Sequence, residues 1–179
     1  MNKYLKGGCR YFVAILILFL GAPSVYGLSS LPDAQVKKVG GKPCFTIHGK
    51  DAAPQVIKLF SLYVAKKGKG QKRWPSLPES VWGFEISPPG NSIELSSDNC
   101  ISYGELPVAS EEFLKARLLE PYQIYNVDIG GRPKAENSAV LGYGAEFCIK
   151  PTRDGDIQVI QIPWDKTAGK WRYDACSPP

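Results

Sequence analysis

The chain has 179 residues, 44% of them hydrophobic and 22% charged, with five cysteines, four tryptophans, one histidine and a formal charge of +5. Much of that charge sits at the start: without Lys3, Lys6 and Arg10, 19 basic side chains stand against 17 acidic ones, a net +2. A balance that even excludes a strong electrostatic demand for nucleic acid or an anionic membrane surface, and the length suits one domain with a real core.

The three early basic residues precede an apolar run, Tyr11 to Gly21, and then Ala22-Pro23-Ser24-Val25-Tyr26-Gly27. These are the parts of a secretory signal peptide, expected over residues 1–27. Cleavage after Gly27 puts Val25 and Gly27 at the small-residue positions, whereas cleavage after Ala22 leaves Pro23 beside the scissile bond. An uncleaved anchor is the competing reading; it needs about 20 apolar residues, and Pro23 interrupts this run. Cys9 lies before the apolar segment, so no cysteine follows the leader to be acylated, and membrane anchoring is not expected.

The remaining chain keeps Cys44, Cys100, Cys148 and Cys176. An even count in an exported chain argues for two disulfides. The absence of any Cys-x-x-Cys pair, with His48 the sole histidine, argues against a metal site.

Residues 28–42 are polar and end in Gly40-Gly41, reading as a linker or a frayed lead-in strand ahead of a single domain over 43–179. Pro43 to Ile47 is a short β run. Gln55 to Ala65 alternates with apolar residues on both faces, as a central strand covered on each side does, although its length also allows three helical turns. Lys66 to Arg73 is a basic, glycine-containing loop followed by Trp74. Val81 to Ser87 reads as a strand stopped by Pro88-Pro89-Gly90, with another short strand at Ser92 to Leu95. From Ser110 to Leu119 the spacing turns helical: Ser110 caps, Glu111 and Glu112 suit the first turn, and Phe113 with Ala116 and Leu114 with Leu118 form an apolar side. Tyr122 to Ile129 alternates up to Gly130-Gly131-Arg132-Pro133.

From Tyr143 to Cys176 the chain reads as a three-strand meander broken at Asp154-Gly155 and near Ala168-Gly169. Four cysteines allow three pairings. In the meander Cys148 faces roughly Val159, which faces roughly Ala175, so Cys176 lies two strands from Cys148, beyond the roughly 6 Å that a bridge spans at Cα. That favours Cys44 with Cys148 and Cys100 with Cys176. Seven or eight short strands with regular turn signals indicate an all-β, immunoglobulin-like sandwich with one short helix.

No catalytic, cofactor or metal constellation is expected. His48 sits at a strand end, where a lone histidine is ordinarily a surface residue. Carboxylate pairs can be drawn from Glu85, Glu105, Glu146 and Asp165, but no spacing is diagnostic. Glu146 either points outward or is a buried acid paired with Arg172 or Lys150. Gly142 to Phe147 lacks the third glycine and the following helix of a dinucleotide loop. Lys66, Lys67, Lys69, Lys72 and Arg73 beside Trp74 form either a solvated hairpin loop or an anion-binding patch. Asp165 is placed to accept backbone hydrogen bonds in a turn, and Trp164 and Trp171 are core caps or interface anchors.

The segments Gly41 to Ile47 (GKPCFTI), Asn99 to Pro107 (NCISYGELP), Tyr122 to Ile129 (YQIYNVDI), Tyr143 to Lys150 (YGAEFCIK) and Gln161 to Cys176 (QIPWDKTAGKWRYDAC) together resemble type VI secretion immunity proteins of the bacterial periplasm, many of them lipoproteins. The resemblance implies a periplasmic protein without enzymatic activity. It implies that the chain binds a cognate effector toxin by surface complementarity, with Trp74, the Lys66 to Arg73 loop and Arg132 as candidate contacts. The alternative is a periplasmic binding module for envelope lipid or glycan, with a small enzyme of unrecognised chemistry as a third class.

Overall fold

Two glycines in succession, Gly40 and Gly41, both take positive φ (56° and 77°) and close a two-residue hairpin, the geometry that matches the natural twist of paired strands. They join β1 (Ala34–Val39) to β2 (Lys42–Ile47), which pair antiparallel from Ala34 opposite Ile47 to Val39 opposite Lys42. Of the two readings of residues 28–42, the lead-in strand holds for Ala34–Val39, and the domain begins before residue 43; the described residues fall in a unit spanning Leu31–Pro179. This computed structural model describes residues 34–48, 56–67, 80–88, 91–134, 141–165 and 167–179. The expected leader and its cleavage point lie outside them.

The remaining strands are β3 (Val56–Lys66), β4 (Ser80–Ile86), β5 (Ile93–Ser96), β6 (Ile101–Ser102), β7 (Ser110–Leu114), β8 (Tyr125–Pro133), β9 (Leu141–Pro151), β10 (Ile157–Gln161), β11 (Trp164–Asp165) and β12 (Lys170–Trp171). A 3-10 turn, Tyr173–Cys176, follows. Seven strands form one antiparallel sheet in the order β10-β9-β8-β3-β4-β7, with β5 also paired to β3; β1-β2-β6 form a second sheet and β11-β12 a small hairpin. The chain is thus an all-β sandwich of two unequal layers.

Alternation puts Ile57, Leu59, Leu62 and Val64 of β3, Trp82 and Phe84 of β4, Tyr125, Val127 and Ile129 of β8, and Tyr143 and Phe147 of β9 into one core with Phe45 and Ile47 of β2. Phe45 bridges the layers, its ring 5.4 Å from Phe147 and 6.3 Å from Trp82. Burying aromatic rings of this size removes a large apolar area from water, roughly 25 cal/mol per Å². The immunoglobulin comparison holds for two packed antiparallel sheets around a buried tryptophan. It stops there, because one layer has seven strands and the other three.

Three expectations change. First, in place of a helix over Ser110 to Leu119 stands strand β7 over Ser110–Leu114, paired with β4 through Ser110 opposite Ile86 and Glu111 opposite Glu85, with irregular chain over 115–119. Packing overrides the helical spacing: Phe113 lies directly over Gly83, where an added Cβ would stand 2.3 Å from its Cζ. Second, the third meander strand does not join the sheet. Pro163 follows Ile162, the chain leaves β10, makes the β11-β12 hairpin and turns back through the 3-10 turn.

Third, that reversal overturns the expected pairing of cysteines. Cys176 returns to Cys148, with 6.0 Å between their Cα atoms, and Cys44 bridges Cys100 at 5.6 Å. The β9-β10 register also sits one residue from the expectation, with Cys148 opposite Ile160. Around the second bridge Ile162 joins a small separate cluster, with Ile160, Trp171 and Tyr173 packed against it. Two bridges of this kind suit an oxidising, extracellular-type compartment.

Candidate interaction surface

Of the sequence candidates, the three that are described, Lys66, Lys67 and Arg132, do not come together in one site. Lys66 ends β3 and pairs with Glu120; Lys67 follows it. Lys69, Lys72, Arg73 and Trp74 lie outside the described residues. Arg132 stands at the other end of β3, in register with Lys58, its guanidinium 5.9 Å from the Phe60 ring. Eight residues of extended strand separate the Lys58 and Lys66 positions, roughly 25 Å at about 3.3 Å per residue.

Lys67 is a strut rather than an open contact. Its ammonium donates to Glu146 Oε1 at 2.6 Å and to the Tyr173 hydroxyl, and lies 4.3 Å from the centre of the Tyr173 ring. Burial works against its charge, but the hydrogen bonds to Glu146 and Tyr173 outweigh that and raise its pKa. Glu146 is the half-buried acid anticipated, yet its partner is Lys67. Arg172 instead pairs with Asp174, and Lys150 sits 6.0 Å from the Tyr122 ring. The pair ties the end of β3 to the C-terminal cap, since Tyr173 belongs to the turn that carries Cys176.

The turn at Asp165 forms as expected, its Oδ1 accepting the Thr167 and Ala168 N–H groups at 2.9 Å each. Trp164 and Trp171 face each other across the hairpin at 5.3 Å, edge to face; Trp171 packs toward the Cys148–Cys176 cluster and Trp164 is exposed. His48 is exposed just beyond β2. A shallow depression of ≈ 250 Å³ beside Cys100, with Ile93, Leu95, Glu105 and Leu106 in its wall, brings no nucleophile together with a base.

The chemistry that does converge lies on the face of the large sheet turned away from β1-β2-β6, at its β7 side. Core-facing Trp82 and Phe84 alternate with Gly83 and Glu85, which therefore point outward. Gly83 leaves room for the Phe113 ring, and Phe113 stacks on Tyr63 at 4.9 Å between centroids. Tyr63 donates its hydroxyl to Glu85 Oε1 at 2.6 Å. Burial, and then that hydrogen bond, push the Tyr63 pKa up to about 12, so the phenol keeps its proton. Glu111 stands opposite Glu85 in register.

Among the described residues, Phe113 (45% exposed) is the large apolar side chain on this face, and Val108 (90%) and Leu118 (94%) are exposed in the chain before and after β7. Aromatic rings beside exposed aliphatic side chains are residue types enriched at protein-binding surfaces. Sequence reading missed it because Phe113 and Leu118 were assigned to a helix face; the exposed aliphatics on either side of Ser110 to Leu114 were the available signal.

No family model, curated protein or solved structure matches the chain.

Proposed function

We propose that this is an exported immunity protein of the type VI secretion kind, one that binds an effector toxin delivered into the periplasm and masks the part of it that does damage. The partner class comes from the resemblance carried by the four cysteine contexts and the Ile-Pro-Trp-Asp-Lys turn. The two bridges fit export to an oxidising space. The observation that carries binding is the outward surface at β7, where Tyr63, Phe113, Glu85 and Glu111 sit on a sheet braced from behind by the core. A preorganised surface of this kind gains affinity because little ordering is needed on association.

On this reading residues 1–27 are a leader removed after Gly27, and the protein works in the periplasm. A lipid- or glycan-binding module is the less supported reading, since Lys66 and Lys67 already face Glu120 and Glu146. The test is genetic and biochemical. The exported protein encoded beside this gene is produced in the periplasm of cells with and without the chain; rescue, with co-purification of the pair, is expected. Equal survival with and without the chain overturns the proposal.

A further inference from the structure

We infer that the open edge of β7 is a strand-addition site for an extended segment of the partner protein that carries a lysine or arginine among apolar residues. The inference rests on the binding reading above and gives it a surface and a chemistry. β7 is the last strand of the large sheet, and its far edge pairs with no strand among the described residues. The Ser87 N–H donates to the Ala109 carbonyl at 2.8 Å, which fixes the phase of the β4-β7 ladder. Ladder bonds then fall on Ala109 and Glu111, and the N–H and C=O groups of Ser110 and Glu112 point away from β4. An incoming strand finds donors and acceptors at the spacing it needs.

The side chains say what kind of strand it is. Glu85 and Glu111 are cross-strand neighbours on the outer face, roughly 5.5 Å apart at Cα for such a pair, and neither has an ion-pair partner among the described residues. Like charges directly opposite are destabilising. A cationic side chain from a strand added beside β7 relieves that repulsion at Glu111 and meets the Phe113 ring, whose face attracts cations. Val108 and Leu118 flank the strand and supply apolar contact on either side.

A second copy of this chain is a poor occupant. Antiparallel pairing of two β7 strands centred on Glu112 sets the two Glu112 side chains directly opposite each other, with Lys115 beyond the strand end. Open edges with exposed apolar flanks are usually protected by lysine, proline or a covering segment; within Ser110–Leu114 the charged residues are both glutamates, which favour a basic partner strand, and Lys115 follows only beyond the strand.

The probes are two short blocked peptides, one alternating valine with lysine and one with glutamate in place of lysine, titrated into the oxidised protein and followed by amide chemical shifts. The lysine peptide is expected to move the Ser110 and Glu112 amides and to bind roughly tenfold or more tightly than its glutamate counterpart. The double variant Glu85→Gln, Glu111→Gln, whose surface positions leave the core intact, should reduce that binding about tenfold, and Glu112→Pro should abolish it by removing an outward N–H. Equal binding of both peptides, shifts confined to other strands, or no binding by either overturns the inference. Concentration-dependent dimerisation that Glu112→Pro removes also overturns it, by making a second copy the occupant. The toxin plays no part in this titration. Rescue that persists after a failed titration relocates the surface and leaves the immunity reading, and failed rescue leaves the peptide result standing.

Discussion

The two lateral edges of the large sheet are treated in opposite ways. At the β10 edge the chain closes itself. The Gln161 side-chain amide accepts the Val36 N–H at 2.9 Å and donates to the Ala34 carbonyl at 3.0 Å, imitating a strand peptide and joining β10 to β1. Lys38 pairs with Asp156 nearby, and the Cys148–Cys176 bridge fastens the C-terminal cap to β9. At the β7 edge no described residue plays the part of Gln161, and apolar side chains stand exposed beside it. Among the described residues, one lateral edge of the sheet is closed by a side chain and the other is not, which is the difference the proposed strand addition uses.

The largest expected effect lies on the closed side. Replacing Cys148 and Cys176 together by alanine frees a segment of sequence separation 28, which the chain-entropy model values at about 3 to 4 kcal/mol. Denaturant midpoints of the oxidised protein and the double variant measure it, and a loss under about 1 kcal/mol contradicts it. Non-reducing peptide mapping should recover Cys44 linked to Cys100 and Cys148 linked to Cys176.

Gln161→Leu is expected to cost about 1 to 3 kcal/mol by stranding the Val36 N–H and the Ala34 carbonyl. It should speed exchange of the Val36 amide without touching β7, and uniform destabilisation across both edges counts against the contrast. Gly83→Ala acts on the open side. The new Cβ meets Phe113 and also stands 3.2 Å from the Leu62 carbonyl, so Phe113 is displaced and the β7 amides lose protection, at about 1 to 3 kcal/mol.

The smallest effect is alkaline. Tyr63 has a folded pKa raised above its unfolded value of 10.0, to about 12. Its contribution to stability is therefore full below pH 10 and is lost as pH rises through about 12. A difference absorbance titration of the protein against Tyr63→Phe should show one phenol ionising near pH 12, and a step near pH 10 contradicts the partial burial of Tyr63 and its hydrogen bond to Glu85.

Much of the core was legible in the sequence, because alternation in Val56 to Lys66, Ser80 to Ile86 and Tyr125 to Ile129 is a local signal and burial follows it. The misreadings share a non-local cause. Ser110 to Leu119 carries helical spacing and a plausible cap, and only the space above Gly83 and the ladder to β4 turn it into a strand. The cysteine pairing depends on Pro163 ending the meander so that the chain reverses, which no spacing between cysteines reveals. The Lys67–Glu146 contact joins residues 79 apart, and Glu146 was read against nearer basic residues. Gly40-Gly41 was visible as a turn signal, but without the β2-β6 layer in view the choice between a linker and a lead-in strand stayed open.

Amide hydrogen exchange of the free, oxidised protein, resolved by residue, tests the contrast most directly. The Val36 amide, held by Gln161, is predicted to be protected, while the Ser110 and Glu112 amides exchange close to the rate of open chain even as Glu111, bonded to β4, stays protected. Protection of Ser110 and Glu112 equal to that of Val36 would mean that the β7 edge is already covered, and the open-edge account would be wrong.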